Sequence, residues 1–245
     1  MWICTQAFHV PKHGNAAEEY EDAFFPDRVS QRGLTAFRCA VADGASESAY
    51  AGEWAQILVR SFGRRRLRLA QNQRTWQRLV QGRPVPWYLE RKLANGAHAA
   101  LAGLLLRDRR QRNPRRGSWR AVAIGDSCIF HVRGDELLAV GPVCRSDDFD
   151  NNPYLVSSKN SGPLRRDDPH VSIVSGSWRL KDIFYLTTDA LAQWILAEYE
   201  AGRPPWKFLR ALGGKQKSFE AVIEDLRKSK ALRNDDTTLI RVEVK

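Results

Sequence analysis

The chain is poor in several things, and each scarcity removes a class of explanation. It has one methionine, Met1, and four cysteines, Cys4, Cys39, Cys128 and Cys144. No two cysteines form a Cys-x-x-Cys pair, which argues against a zinc ribbon or a dithiol redox motif. They are widely spaced and mostly in or beside apolar runs, so they read as buried free thiols in a reducing compartment. No apolar run approaches the roughly 20 residues that cross a bilayer. Met1-Trp2-Ile3-Cys4-Thr5-Gln6 has no basic region ahead of an apolar core, so no secretory signal is expected and a cytoplasmic location is. There is no internal repeat and no low-complexity linker. Acids are nearly missing from residues 60–120, where only Glu90 and Asp108 stand against 17 Lys or Arg.

What is present is a globular composition. The 245 residues are 43% hydrophobic and include 8 Trp, too apolar for disorder and long enough for one domain, 1–245, with a sizeable core. The formal net charge is +11, yet outside residues 60–120 there are 22 bases against 26 acids. An acidic body thus carries one basic segment. Placed on helices, such a segment is first a solvated outer face. Docking of an acidic partner is a second reading. Nucleic-acid binding is the least expected, because it rests on charge alone.

Periodicity divides the chain. Trp2 to Val10, Glu21 to Phe25 and Thr35 to Ala42 read as strands, the last apolar at nearly every position. Helical spacing of Tyr50, Trp54, Ile57, Leu58 and Phe62 predicts a helix over about 47–69. Leu89, Leu93, Ala97, Ala100, Leu101, Leu104 and Leu105 predict another over 86–111, with 74–81 ambiguous between them. From Ser118 the period returns to two, predicting three meander strands at 118–124, 128–133 and 137–140. Residues 141–169 read as a long surface loop. Strands at 170–174 and 182–188 precede helices from Leu191 to Tyr199, 206–212 and 217–230, and a last strand at 239–244. Strands, helices, strands, helices, strand suggests an α+β layered sandwich.

Acids recur at the ends of these strands. Glu21-Asp22 opens Glu21-Asp22-Ala23-Phe24-Phe25. Asp43-Gly44 ends Ala40-Val41-Ala42. Asp126 sits in Ile124-Gly125-Asp126-Ser127. Asp189 follows Leu186-Thr187-Thr188, and Asp235-Asp236-Thr237-Thr238 enters the final strand. Glycine beside a strand-end carboxylate lets a ligand approach the main chain, as in sites for hard cations. Carboxylates gathered together repel one another, so a cluster would need divalent ions. All-oxygen ligands favour Mg or Mn, and two such ions can activate a water for in-line attack on phosphorus.

The series Glu-Asp-Ala, Ala-Asp-Gly, Gly-Asp-Ser, Thr-Thr-Asp and Asp-Asp-x-Thr, spread over residues 5–244, resembles the metal-dependent protein phosphatases of the protein phosphatase 2C type. The resemblance implies a four-layer α-β-β-α sandwich of two antiparallel sheets flanked by helix pairs. It also implies hydrolysis of phosphoserine and phosphothreonine in proteins, with two Mn²⁺ or Mg²⁺ ions and room for a weak third. Asp43 would bridge both metals and the Gly44 carbonyl would bind one. Asp189 and Asp235 would bind one metal, and Glu21 the other, largely through water. Asp22 would orient metal-bound water, and Asp126 with Asp189 would hold the third ion. The expected partners are a phosphoprotein substrate and an associated Ser/Thr kinase, and the expected state is a monomer. The family's phosphate-binding arginine, four residues before the glutamate, is Ala17 here, between no bases and followed by Glu18 and Glu19. Lys12, His13 and Arg28 are candidate substitutes. The departure supports an alternative, a catalytically weak relative that binds a phosphoprotein or a kinase. His9 and His131 within strands and His98 on a helix read as packing residues, and Ser46 and Ser127 lack a neighbouring His–Asp order.

Overall fold

The computed structural model describes all residues except 65–66, 82, 84–86, 109–115, 151 and 160–167. Its first strands are β1 (Ile3–Val10), β2 (Ala23–Phe25), β3 (Arg28–Gln31) and β4 (Ala36–Gly44). Helices α1 (Ala51–Arg64), α2 (Leu69–Gln81) and α3 (Trp87–Asn95) follow. Then come β5 (His98–Asp108), β6 (Arg116–Ile124), β7 (Cys128–Arg133), β8 (Glu136–Gly141), β9 (Val156–Ser157), β10 (Ser172–Arg179) and β11 (Ile183–Thr187). Helices α4 (Asp189–Glu200), α5 (Trp206–Ala211) and α6 (Gln216–Lys228) lead to β12 (Thr237–Val244). One antiparallel sheet runs β3-β1-β12-β11-β7-β8, the other β10-β6-β5-β4-β2 with β9 on β5.

Three apolar layers hold the sheets and helices together. Val41, Leu104, Ala121, Phe184 and Ile240 meet between the sheets. Ala40 and Leu101 pack outward against Trp54 and Leu58 of α1 and Trp76 of α2, with Leu93 of α3 alongside. Phe130 and Tyr185 pack outward against Ile195, Trp206 and Phe219 of α4, α5 and α6. The expected α-β-β-α order follows, with three helices on each side rather than pairs. Strand alternation is visible on β4, where Cys39 and Val41 face the other sheet and Ala40 and Ala42 face the helices. Trp54 is fully buried and its indole N–H donates to the Val156 carbonyl at 2.8 Å. Truncating such a side chain to alanine costs about 3–5 kcal/mol.

The long helix expected over 86–111 is not formed. Helix α3 stops at Asn95, Gly96 turns the chain at φ +82°, and His98–Asp108 is a strand inside the second sheet. Its two faces are both covered, Ala99 and Leu101 by helices and Ala102, Leu104 and Leu106 by the other sheet. A strand buried on both sides is apolar throughout and mimics a helix in pattern. His98 therefore lies on a strand. The helix expected over 47–69 is shorter, and residues 74–81 belong to α2. The edge strand β3 has no counterpart among the predicted elements. The expected surface loop at 141–169 contains β9, with Val156 and Ser158 buried. Residues 86 and 109–111 of the helix predicted over 86–111, 65–66 of the one predicted over 47–69, and 151 and 160–167 of that loop lie outside the described residues. Cys39 and Cys128 are buried as expected, but Cys4 is half-buried and Cys144 exposed. No helix among the described residues is long and apolar enough to cross a membrane.

Candidate metal centre

Separate elements deliver carboxylates to one end of the two sheets. Strand β4 does not end at Ala42. Pairing continues through Asp43 opposite Ala100 and Gly44 opposite Ala99, so the Asp43 backbone is held by the sheet itself. Gly44 permits a close crossing: a Cβ there would lie 2.6 Å from the Glu21 carbonyl oxygen and 2.9 Å from the Ala51 carbonyl carbon. Asp126 stands in the β6–β7 turn, Asp189 opens α4 directly after β11, and Asp235 precedes β12. Oxygens of Asp43, Asp126 and Asp189 lie within 4.8 Å of one another. With Gly44 and Asp235 they line a cleft of about 340 Å³.

Glu21 and Asp22 flank this cleft. The Ser46 hydroxyl, which lines it, favours the charged form of the Glu21 carboxyl. Asp22 is buried, and its Oδ2 accepts from Thr238 Oγ1 at 2.6 Å and Thr188 Oγ1 at 3.0 Å. Its Oδ1 is buried without a hydrogen-bond partner. The two acids of Asp235-Asp236 separate. Asp235 faces the cleft, whereas both Asp236 oxygens are taken, by the N–H groups of Lys12 and Glu21 at 2.7 Å each. Asp236 thus ties the β1–β2 connection to β12.

The crowd is electrostatically costly. Burial, then the charges of Asp22, Asp189, Asp126 and Asp235, hold the Asp43 carboxyl well above the usual carboxylate range. Burial raises Asp22 likewise, against the two threonine hydroxyls that favour its charged form. Asp126 is pushed up to about 7 by burial and then by Asp189. Burial also raises Asp189, opposed chiefly by Arg233, and raises Glu21, opposed by the Ser46 hydroxyl. Carboxyls raised by one another are groups that gain from a cation.

One cation is built in, and sequence reasoning missed it. Arg233 Nη2 donates to Asp189 Oδ2, and its Nε lies 3.6 Å from Asp235 Oδ2. An arginine two residues before Asp235 is its only sequence signal. Asp150 also lines the cleft, from the segment expected to be a surface loop. Of the candidate phosphate-binding bases, Lys12 lines the cleft. The His13 ring instead lies 3.8 Å from Glu224, on an exposed side chain, and Arg28 is exposed at the start of β3. Ala17 sits in a short 3-10 turn with Glu18 and Glu19, all exposed. The donors are all oxygens, several of their carboxyls are raised by burial and by neighbouring charge, and Asp22 Oδ1 is orphaned. That set suits hard divalent ions such as Mg²⁺ or Mn²⁺.

No protein-family model matches this sequence, and no curated protein does. Solved structures do match its fold. The serine/threonine phosphatase PstP/Ppp of Mycobacterium tuberculosis superposes with a TM-score of 0.62 at 15% identity, covering 100% of both chains. The catalytic domain of PstP in complex with two manganese ions gives 0.57 at 15% identity over 99% of this chain and 100% of that one. A serine/threonine phosphatase of S. agalactiae gives 0.61 at 10% identity, over 99% and 100%. At such identities the likeness is one of fold, the protein phosphatase 2C sandwich.

Proposed function

We propose that this chain is a metal-dependent protein phosphatase that hydrolyses phosphoserine and phosphothreonine in proteins, with 1–245 as one catalytic domain. The observation that carries the proposal is the convergence of Asp43, Asp126 and Asp189 within 4.8 Å, in a fold shared with named serine/threonine phosphatases. Mn²⁺ or Mg²⁺ ions bound there supply Lewis acidity toward the phosphoryl oxygens and the attacking water. Asp43, Asp189 and Asp235, with the Gly44 carbonyl, are assigned to hold two ions. Asp126 is assigned to a weaker third and Glu21 to contacts through water. Asp22, fixed by Thr188 and Thr238, presents its free Oδ1 to orient a water. Arg233 offsets charge between Asp189 and Asp235. Lys12 is assigned to the substrate phosphate, as the cleft cation without an acid partner among the described residues. It weakens the case for a binding-only relative, which rested on the missing arginine. A phosphoprotein is the substrate partner, and a Ser/Thr kinase the associated one.

The test is turnover of a chromogenic phosphate ester and of a phosphothreonine peptide with Mn²⁺, against the same protein in EDTA. Hydrolysis of both with metal and of neither without is expected. Tight metal binding without hydrolysis between about pH 6 and 9, the range where a metal-activated water of pKa near 7 operates, would sink the proposal.

A further inference from the structure

Part of the basic segment, Arg107, Arg116 and Arg120, lies on a sheet face apart from the cleft, while most of its other described bases lie on α1, α2 and α3. On β6, Ala121 and Ala123 face the other sheet while Val122 faces the helix side. Alternation places Arg116, Ser118 and Arg120 on the Val122 side. By the same alternation Arg38 of β4, Leu105 and Arg107 of β5, and Ser175, Ser177 and Arg179 of β10 share it. Strand register sets them in rows: Arg38–Leu105–Arg120–Ser175, then Arg107–Ser118–Ser177, then Arg116–Arg179. Helix α1 packs over β2, β4 and β5, and Arg38 lies against it with its guanidinium 5.5 Å from the Phe62 ring. Beyond α1 the face is open: Arg107, Arg116, Arg120 and Arg179 are exposed, and Arg107 and Arg120 line a hollow of about 540 Å³.

Some arginines of the chain are neutralised by acids: Arg83, Arg133, Arg203, Arg210 and Arg233 each pair with one. Arg38, Arg107, Arg116, Arg120 and Arg179 have no ion-pair partner among the described residues. Asp108, the nearby acid on β5, faces the opposite side and binds the N-terminal amine. Four exposed, unpaired cations on one open face, with Arg38 at its edge under α1, call for several anions held at once.

The chemistry of the face narrows the occupant. Every cation is arginine, whose planar fork matches a carboxylate with two parallel hydrogen bonds. The serines add hydroxyl donors. The aromatic side chains of these strands, Phe37, Trp119 and Trp178, are buried in the inter-sheet core, and although Trp119 borders the hollow it is only 5% exposed, too little to stack a base. Single-stranded nucleic acid is usually gripped by a basic groove together with such rings. Four strands at about 4.8 Å spacing give a platform roughly 14 Å wide, the width of one extended polypeptide with its side chains. We propose that this arginine face docks an extended Asp- and Glu-rich segment of a partner polypeptide, at a site separate from the metal cleft.

Fluorescence anisotropy of a labelled 12-residue Glu/Asp peptide tests this, in EDTA and at about 20 mM salt, where screening is weak. The acidic peptide should bind the unaltered protein, and a peptide with Gln and Asn in place of every Glu and Asp should not. Substituting Arg107→Ser with Arg120→Ser should weaken binding about tenfold or more, close to 1.4 kcal/mol. Substituting Lys215→Ser with Lys217→Ser removes the same charge at the start of α6 and should change it less than about twofold, well under 1 kcal/mol. Absence of binding, equal loss in the two double variants, or equally tight binding of the uncharged peptide would each overturn the proposal. So would an arginine-dependent affinity for a 12-nucleotide single strand about tenfold tighter than for the peptide, since the face would then be a nucleic-acid surface.

Discussion

The acidic cleft and the arginine face are both crowds of like charge, built in opposite ways. The acids come from the ends of β4 and β11, from the β6–β7 turn and from the entry to β12, and they meet only in three dimensions. The arginines come from neighbouring strands of one sheet, and Arg107, Arg116, Arg120 and Arg179 stay in solvent. Water and salt screen exposed charges over about 8–10 Å, so the arginine face persists without a counter-ion. The buried acids have no such relief. Asp126 and Asp189 hold their protons above the normal range, and Arg233 is drawn in as a partial counter-charge. Like charge at a surface is an invitation to a partner, whereas like charge in a cleft is a demand for an ion.

The largest effect expected from breaking this contrast is at Asp43. Asp43→Ala should lower kcat at saturating Mn²⁺ by roughly 10³-fold or more, since it removes the acid shared by the proposed ion sites. Steady-state hydrolysis of a chromogenic ester reads it. Retention of more than about a tenth of turnover would mean a loss under about 1.4 kcal/mol and would remove Asp43 from the chemistry.

Next is pH. The Asp126 carboxyl titrates near about 7 in the folded chain, against about 3.9 when unfolded. A folded pKa raised above the unfolded one gives stability that is complete at low pH and lost as pH rises through the folded value. The metal-free protein should therefore melt at a lower temperature at pH 8 than at pH 5. Asp126→Asn should flatten part of that fall, and melting curves of the two proteins in EDTA compare them. An unchanged slope would take Asp126 out of the crowd. Added Mn²⁺ should also flatten the wild-type slope.

A smaller effect is expected at Arg233. Arg233→Gln releases oxygens of Asp189 and Asp235 that now face a guanidinium. Mn²⁺ affinity by titration calorimetry should rise about tenfold, near 1.4 kcal/mol. Weaker or unchanged binding would mean that the guanidinium helps the site rather than competing in it. Smallest of all is the stability change from Arg107→Ser with Arg120→Ser, within about 0.5 kcal/mol by urea unfolding, because exposed and unpaired side chains contribute little to the fold. A larger loss would show that the face is tied into the fold after all.

Much of this was legible from local pattern. Strands β4, β7 and β11 announce themselves by apolar runs that stop at acids or glycine, β12 by the acids that precede its apolar run, β1 by loose alternation, and α4 and α6 by helical spacing. The run 97–108 misled because alanine and leucine on both faces of a doubly covered strand carry no period of two. The exit signal was present in Gly96, whose positive φ ends α3. Among neighbouring acids, spacing cannot say that Asp235 enters the cleft while Asp236 is consumed by two backbone N–H groups. Nor can it raise Arg233 and Asp150 above the chain's other charged residues.

By itself the sequence determined the acids at strand ends, the mildly acidic body and the dense basic stretch, because strand, turn and charge runs are set by residues close along the chain. Only the tertiary structure decided which of those acids meet. Asp43, Asp126 and Asp189 are brought within 4.8 Å by the stacking of two sheets and by strand registers that pair residues far apart in sequence. It likewise decided that residues 98–108 of the basic stretch form a strand, so that Arg107 joins Arg116 and Arg120 on a sheet face while the residues before that strand are largely helical. A burial pattern depends on what covers each side of an element, and that cover comes from distant parts of the chain.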